Sequence, residues 1–349
     1  MAIIDKPSDY FNTKLYTGTG SSNAVTGVGF QPDWIWLKGR SVASDHKVFD
    51  AVRGGPNNLI QPNLTNAQQT TSYFSSINSD GFTVTGSDNS YNASNATYAS
   101  WNWKANGSGS TNTDGSINST VSASATSGFS IVKVSKPNTS VATIGHGLGV
   151  TPKFIIGKDL DGVDNWTCYN EALGNGKGIY LNATNAESTA STFWNSTSPT
   201  SSVFTIGSDN TWNSPSIVFY CFADVQGYSK FGSYTGNGST DGTFVYTGFK
   251  PAFTLIKRTD SATGGSWILF DNKRGTNVIN PVDVVMAASN NASEADWGTA
   301  YDCDYLSNGF KWRYAGANGY NNTNGATYIY MAFAENPFVT STAIPTTAR

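Results

Sequence analysis

Histidine and cysteine are scarce in this 349-residue chain, with two of the first and three of the second. His46 and His146 lie far apart, which excludes most multi-histidine metal sites and makes a Ser-His-Asp arrangement hard to build. Cys168, Cys221 and Cys303 cannot supply a disulfide framework, so free thiols are expected and ordinary hydrophobic cores must hold the fold. Charge is also sparse: 13% of residues are charged, the formal net charge is −3, and the 21 basic residues gather in no segment. That balance offers no polyanion-binding surface, and nucleic acid is not an expected partner. No apolar run approaches the length of a membrane span, so membrane insertion is not expected. The opening MAIIDKPSDYFNTKLY places Asp5 and Pro7 where a secretory leader needs its apolar run, so no export signal is expected either.

What the chain does contain is glycine, 36 residues of it, together with 12 prolines, 13% aromatics and 38% hydrophobic residues. This is too apolar for disorder and too rich in turn formers for helices, and it reads as an ordered, loop-rich all-β protein. The chain also repeats itself. A Gly-x-x-Pro turn, a β-branched or aromatic run and a lysine recur as GFQPDWIWLK (Gly29 to Lys38), GVTPKFIIGK (Gly149 to Lys158) and GFKPAFTLIK (Gly248 to Lys257). A second column follows in VFDAVRG and LFDNKRG, with WTCYNEALG as a weaker copy, and a third in SDGFTVTG, SSVFTIGS and SNGFKWRY. The fourth is an aromatic strand, NATYASWNWKA, SIVFYCFAD and GATYIYMAFAE. Four columns in one order argue for a single supersecondary unit used three times.

Within each copy the apolar residues alternate at period two between turn formers, and Pro32, Pro152 and Pro251 stand at strand entries where a missing amide costs no ladder bond. The expected fold class is all-β, as three tandem β-sandwich or jelly-roll-like repeats. Residues 14–106, 129–226 and 227–338 form the repeats, with 1–13 as an N-terminal arm and 339–349 as a C-terminal tail. Residues 107–128, a Gly/Ser/Thr/Asn tract, are expected as a linker or loop. NLTNAQQT and its counterparts LNATNAEST and AASNNASEAD suggest single helical turns.

The FDxxRG column sets Asp50 three residues before Arg53 and Asp271 three before Arg274. These arginines are candidate ligand-binding groups; the competing structural reading is an Asp that accepts turn amides and pairs with Arg to fix a loop. The middle copy has Asn170 and Leu173 instead, so the charges are not needed in every copy. Glycoside hydrolysis would need two flanking carboxylates, and Asp50, Glu171, Asp271, Glu294 and Glu335 form no recognisable pair. KDLDGVDNW gathers Asp159, Asp161 and Asp164 but has Asp164 and Asn170 where an EF-hand loop needs its glycine and final carboxylate. Most of the 10 tryptophans fall in the repeated strands and are expected in cores, whereas Trp194, Trp212 and Trp297 stand in polar stretches and are the candidate exposed contacts for a ligand. No catalytic residue, metal site or cofactor is expected.

The phrases PSDYFNTKLYTGTGSSNAVTGVGFQPDWIWLK, HKVFDAVRG, FGSYTGNGSTDGTFVYTGFKPAFTLIKR and TYIYMAFAENPF resemble repeat modules in virion proteins of tailed bacteriophages, particularly marine ones. The resemblance covers nearly the whole chain and carries no catalytic motif. It implies a non-enzymatic structural protein located in the virion, a compact tail appendage (fibre or knob) or a capsid decoration. Other virion proteins would be its partners, and its loops would bind host-surface glycans. Three joined copies suggest a pseudo-threefold monomer or a homotrimer. The alternatives are a stand-alone carbohydrate-binding module or lectin, and a polysaccharide-degrading enzyme.

Overall fold

The computed structural model describes residues 3–346 except 137, 139, 276–279, 297, 317 and 318. The protein is all-β, built from antiparallel sheets, and among the described residues its only α-helix is the single turn Ser191–Trp194. Each Gly-x-x-Pro turn opens on a left-handed glycine, with φ of +90° at Gly29, +72° at Gly149 and +81° at Gly248. A side chain is strained in that conformation, which explains why this position is glycine each time.

The strands that follow these turns occupy the same place in three large sheets. Trp34–Gly39 lies between Thr97–Trp103 and Lys47–Asp50, with Phe11–Thr17 beyond the first of these. Phe154–Asp159 lies between Ser214–Phe222 and Thr167–Asn170, with Phe129–Lys136 beyond. Phe249–Arg258 lies between Thr327–Pro337 and Ile268–Asp271, with Ser229–Thr235 beyond. Register recurs as well: Trp34 pairs with Trp103 and Trp36 with Trp101, Phe154 with Phe222 and Ile156 with Tyr220, Phe253 with Phe333 and Leu255 with Met331.

Side chains at alternate positions leave opposite faces of a strand. One face of every large sheet turns to a single central core that holds Trp34, Trp103, Phe154, Phe222, Phe253 and Phe333 together. Ring contacts join the sheets pairwise there: Trp34 to Tyr220 at 4.7 Å, Phe11 to Phe333 at 5.2 Å, and Phe222 to Phe231 at 5.8 Å. The other face of each sheet covers its own small sheet, giving three sandwich cores. Ile35 and Tyr98 pack with Phe74 and Phe82, Ile155 and Phe219 with Phe204 and Trp212, and Ile256 and Tyr328 with Phe310 and Trp312. Trp34–Gly39 and Phe154–Asp159 are therefore buried at every position. Their alternation separates one core from another rather than core from solvent.

Three expectations about segments need correcting. Residues 107–128 are not a linker: Ser110–Asn112 and Ser119–Ser124 form a hairpin that extends the second large sheet, pairing through Val121 with Val132. Its Ser- and Thr-rich composition suits a strand near a sheet edge, where one face meets water. Residues 3–13 do not form a free arm, because Phe11 enters the central core and lies 4.9 Å from Trp103. Ile4 is buried, and Asp5 accepts the Ser341 amide at 2.6 Å. NLTNAQQT and its counterparts form no helical turns; they are turns that end in short strands at Gln69–Thr70, Ser188–Thr189 and Ala295–Asp296.

Candidate functional site

The charged FDxxRG columns lie at two seams between the large sheets. Lys47–Asp50 ends with Asp50 turned inward, where Oδ1 accepts the amides of Val52 and Arg53 at 2.9 Å each. Oδ2 accepts Arg53 Nε at 2.5 Å and, from the second sheet, the Tyr220 hydroxyl at 2.6 Å. Asp271 repeats this arrangement with the amides of Lys273 and Arg274 on Oδ1, and with Arg274 Nε at 2.6 Å and the first sheet's Trp101 Nε1 at 2.9 Å on Oδ2. Both ion pairs have no side-chain exposure. Burial alone would lower the Arg53 pKa, but Asp50 and Tyr220 outweigh it and the net direction is upward; burial and the Asp50 charge hold the Tyr220 hydroxyl well above its ordinary range. Arg53 and Arg274 are thus not available to a solvent-borne ligand: removing such a charge from water is tolerated because its partner and backbone carbonyls enclose it.

Tyr220, Trp101 and Met331 hold the same register position in their sheets. At the corresponding seam, between Met331 of the third large sheet and Asn170 of the second, Met331 has no donor to offer, and there the sequence has the uncharged Asn170 and Leu173, with Asn170 Nδ2 buried and unpartnered. Charge is present only where the neighbouring sheet supplies a hydrogen bond to it, a correlation that the cost of an uncompensated buried carboxylate accounts for.

Two further sets of hydrogen bonds cross all three seams. Four residues before Asp50, Asn170 and Asp271 stand His46, Trp166 and Trp267. Each places a ring nitrogen on a backbone carbonyl across a seam, in a strand or the loop beside one: His46 Nε2 on Ala287 at 3.1 Å, Trp166 Nε1 on Gln61 at 3.0 Å, and Trp267 Nε1 on Tyr180 at 2.8 Å. Trp36 Nε1 donates to His46 Nδ1 at 2.8 Å, which leaves Nε2 as the protonated nitrogen; burial, and then the Lys38 charge, hold the His46 pKa well below its ordinary value. The amides of Gln68, Glu187 and Glu294 donate to Leu160, Thr259 and Arg40 at 2.8, 2.8 and 3.0 Å. In all these bonds the first part joins the second, the second the third and the third the first, so the ring closes.

Two of the three lysines of the first column, Lys38 and Lys257, also reach across a seam. Lys38 Nζ donates to Gly39 at 3.0 Å and to Asn291 of the third part at 3.4 Å; Lys158 Nζ donates to Asp159 at 2.6 Å and Gly162 at 3.2 Å. Lys257 Nζ reaches Gly265 and, in the second part, Thr184 at 3.0 Å. Burial lowers their pKa values to about 8, about 8 and about 7.

Trp194 and Trp212, expected at the surface, are buried in the second sandwich core 5.5 Å apart, with Trp212 Nε1 donating to Phe193 at 2.9 Å. The polar stretches around them misled because the Ser191–Trp194 turn and the Asn210–Trp212 turn fold those rings inward against Phe219 and Tyr169. Trp297 lies outside the described residues. Of the remaining candidate carboxylates, Glu171 pairs with Lys153, Glu294 with Arg40 and Glu335 with Lys250. Asp159 and Asp161 both accept the Ser214 hydroxyl, and among the described residues no group of three His, Cys, Asp or Glu is gathered to hold a metal ion.

The accessible site lies elsewhere. Phe244–Tyr246 is an edge strand whose Val245 enters the third sandwich core while Phe244 and Tyr246 stay 43% and 60% exposed on the outer face. Tyr246 borders a groove of about 380 Å³ whose wall also carries Asp224, Gln226, Lys230, Thr247 and Phe338. Asp224 is fixed by an ion pair to Lys230 and by the Phe231 amide at 2.9 Å. The signal for it was present in GTFVYTG: two aromatics flanking one valine at period two, with no apolar residue on either side of the triplet.

These features define an all-β sandwich protein whose three large sheets share one core and which carries an exposed groove beside aromatic rings. The chain belongs to the family described as Domain of unknown function (DUF7483), whose model matches residues 6–337. No curated protein shows a significant match to it.

Proposed function

We propose that this protein is a non-enzymatic structural component of a tailed-phage particle, a compact knob on the tail or an ornament of the head. It is made of three copies of one unit closed about a pseudo-threefold axis. The copies run over residues 14–106, 107–226 and 227–338, with the hairpin of the former linker segment joined to the second.

The observation that carries this reading is the use made of the side chains. Asp50 and Asp271 each accept a hydrogen bond across a seam, from Tyr220 and Trp101, while Arg53 and Arg274 neutralise them, and His46 crosses a seam to Ala287. A protein organised in this way is built for persistence of shape. The closed ring of seams also favours one chain in solution over a homotrimer, because the surfaces a trimer would use are already occupied within the chain. Partners would then be other virion proteins docked on its outer faces, and a host-surface glycan held in the exposed groove.

Peptide mass spectrometry of phage particles purified through a density gradient tests the location: the reading expects this chain in fixed proportion to the major capsid protein. Its presence only in the soluble fraction of the lysate would overturn it. The lectin alternative draws on the exposed Tyr246 groove and predicts the opposite fractionation. The enzyme alternative has its proposed carboxylates in ion pairs, and turnover of a polysaccharide panel abolished by Glu171→Gln would revive it.

A further inference from the structure

We infer that the groove beside Tyr246 is a saccharide-binding subsite for a neutral sugar ring. The inference deepens the glycan-binding part of the reading above and rests on it for the origin of the sugar only. Two exposed rings, Phe244 and Tyr246, lie beside glycines. The Tyr246 hydroxyl would lie 3.5 Å from a Cβ placed on Gly248, and Phe244 Cε2 only 2.9 Å from one placed on Gly309, the residue that pairs with Tyr246 across the small sheet. Tyr246 lies at ordinary contact distance beside Gly248, and a Cβ at Gly309 would meet the Val245 carbonyl before Phe244; both rings keep part of their surface open. They leave the same face of one strand two residues apart, roughly 6.5–7 Å along it. Covering glycine in a sheet accounts for where the rings lie, but not for 60% exposure of Tyr246 at the rim of a groove.

The groove wall decides the ligand class. A sugar presents a C–H face, which an aromatic ring covers, and an edge of hydroxyl groups, which need both donors and acceptors. Asp224 is an acceptor held in place by the Lys230 ion pair and the Phe231 amide; Lys230 is a donor with 41% side-chain exposure; Gln226 is exposed and offers an amide with both roles. Because Asp224 and Lys230 neutralise each other, the wall carries no uncompensated charge to attract a phosphate, a sulfate or a polyamine. The fixed carboxylate lowers the ordering cost of binding.

Saturation-transfer NMR on the full chain with maltose, cellobiose, lactose and N,N′-diacetylchitobiose tests this. At least one disaccharide is expected to receive saturation, with its Kd raised tenfold or more by Tyr246→Ala, raised by Phe244→Ala, and little changed by Tyr246→Phe. Val163→Ala, at an exposed apolar residue of the second part, serves as the control and leaves binding unchanged. Silence across all four sugars, or binding indifferent to Tyr246→Ala while the variant melts like the parent, overturns the inference. Because the isolated protein is used, that failure is distinguishable from its absence from purified particles.

Discussion

Replacing Arg53 by leucine asks whether the buried ion pairs hold the seams. The substitution leaves the Asp50 carboxylate with no side-chain exposure and without its countercharge, though the Val52 amide, the residue-53 amide and the Tyr220 hydroxyl still bond to it. Removing one member of a buried pair costs about 3–5 kcal/mol, and these three donors place Arg53→Leu near the lower end. The carbonyl that Arg53 vacates at Val48 still accepts the Ile60 amide at 3.2 Å, and half-buried Gln68 reaches water, so little else is orphaned. Adding Asp50→Asn removes the stranded charge and copies the Asn and Leu that the middle seam already has. The double variant is therefore expected within about 1 kcal/mol of the parent, a coupling of about 2 kcal/mol or more in the double-mutant cycle. Urea unfolding followed by fluorescence and by circular dichroism gives the free energies, with equal slopes and coincident transitions as the condition for comparing them. A double variant as unstable as Arg53→Leu, or an Arg53→Leu within about 0.5 kcal/mol of the parent, would refute the reasoning.

Lys38, Lys158 and Lys257 have folded pKa values lowered from 10.5 to about 8, 8 and 7, so from pH 7 upward the unfolded chain holds more protons and stability rises with pH. The charged groups facing them are Asp45, Arg274 and Glu294 for Lys38 and Asp159 and Asp164 for Lys158, while Lys257 faces the Cys168 thiol. The gain should level off near pH 9, where thiols of the unfolded chain begin to ionise at about 8.5 while the folded ones stay protonated, and Lys257→Met should flatten it by about one proton. Below about pH 6.5 the unfolded histidines bind protons that buried His46 and His146 refuse, so the urea midpoint falls as pH drops further. All three thiols are buried with raised pKa values, so the native protein should react with a disulfide reagent only as fast as it unfolds. Rapid labelling of Cys303 in the native state would contradict that. Light scattering should give one 37.1 kDa chain per particle rather than three.

The all-β character and the recurring columns were legible because Gly-x-x-Pro turns and aromatic strands impose strong local signals, and the left-handed glycines show why those turns keep their residue. The closure of the three parts was not legible. His46, Trp166 and Trp267 share a column and a task, yet a histidine and two tryptophans look unrelated until each is seen reaching a carbonyl of another sheet. The hairpin at 110–124 was hidden by a composition that a solvated edge and a flexible linker have in common. Trp194 and Trp212 were misplaced because neighbouring polarity says little about a ring that a single turn folds inward. The FDxxRG motif makes a loop-fixing pair legible, but its partners Tyr220 and Trp101 lie 170 residues away in sequence and no local pattern points to them.

Differential scanning calorimetry of the intact chain is the most direct test of a shared core. If the three parts are closed on one another through Trp34, Phe222 and Phe333, they melt as one unit, in a single endotherm whose calorimetric and van't Hoff enthalpies agree. Two or three resolved transitions, each carrying a fraction of the total enthalpy, would contradict the account.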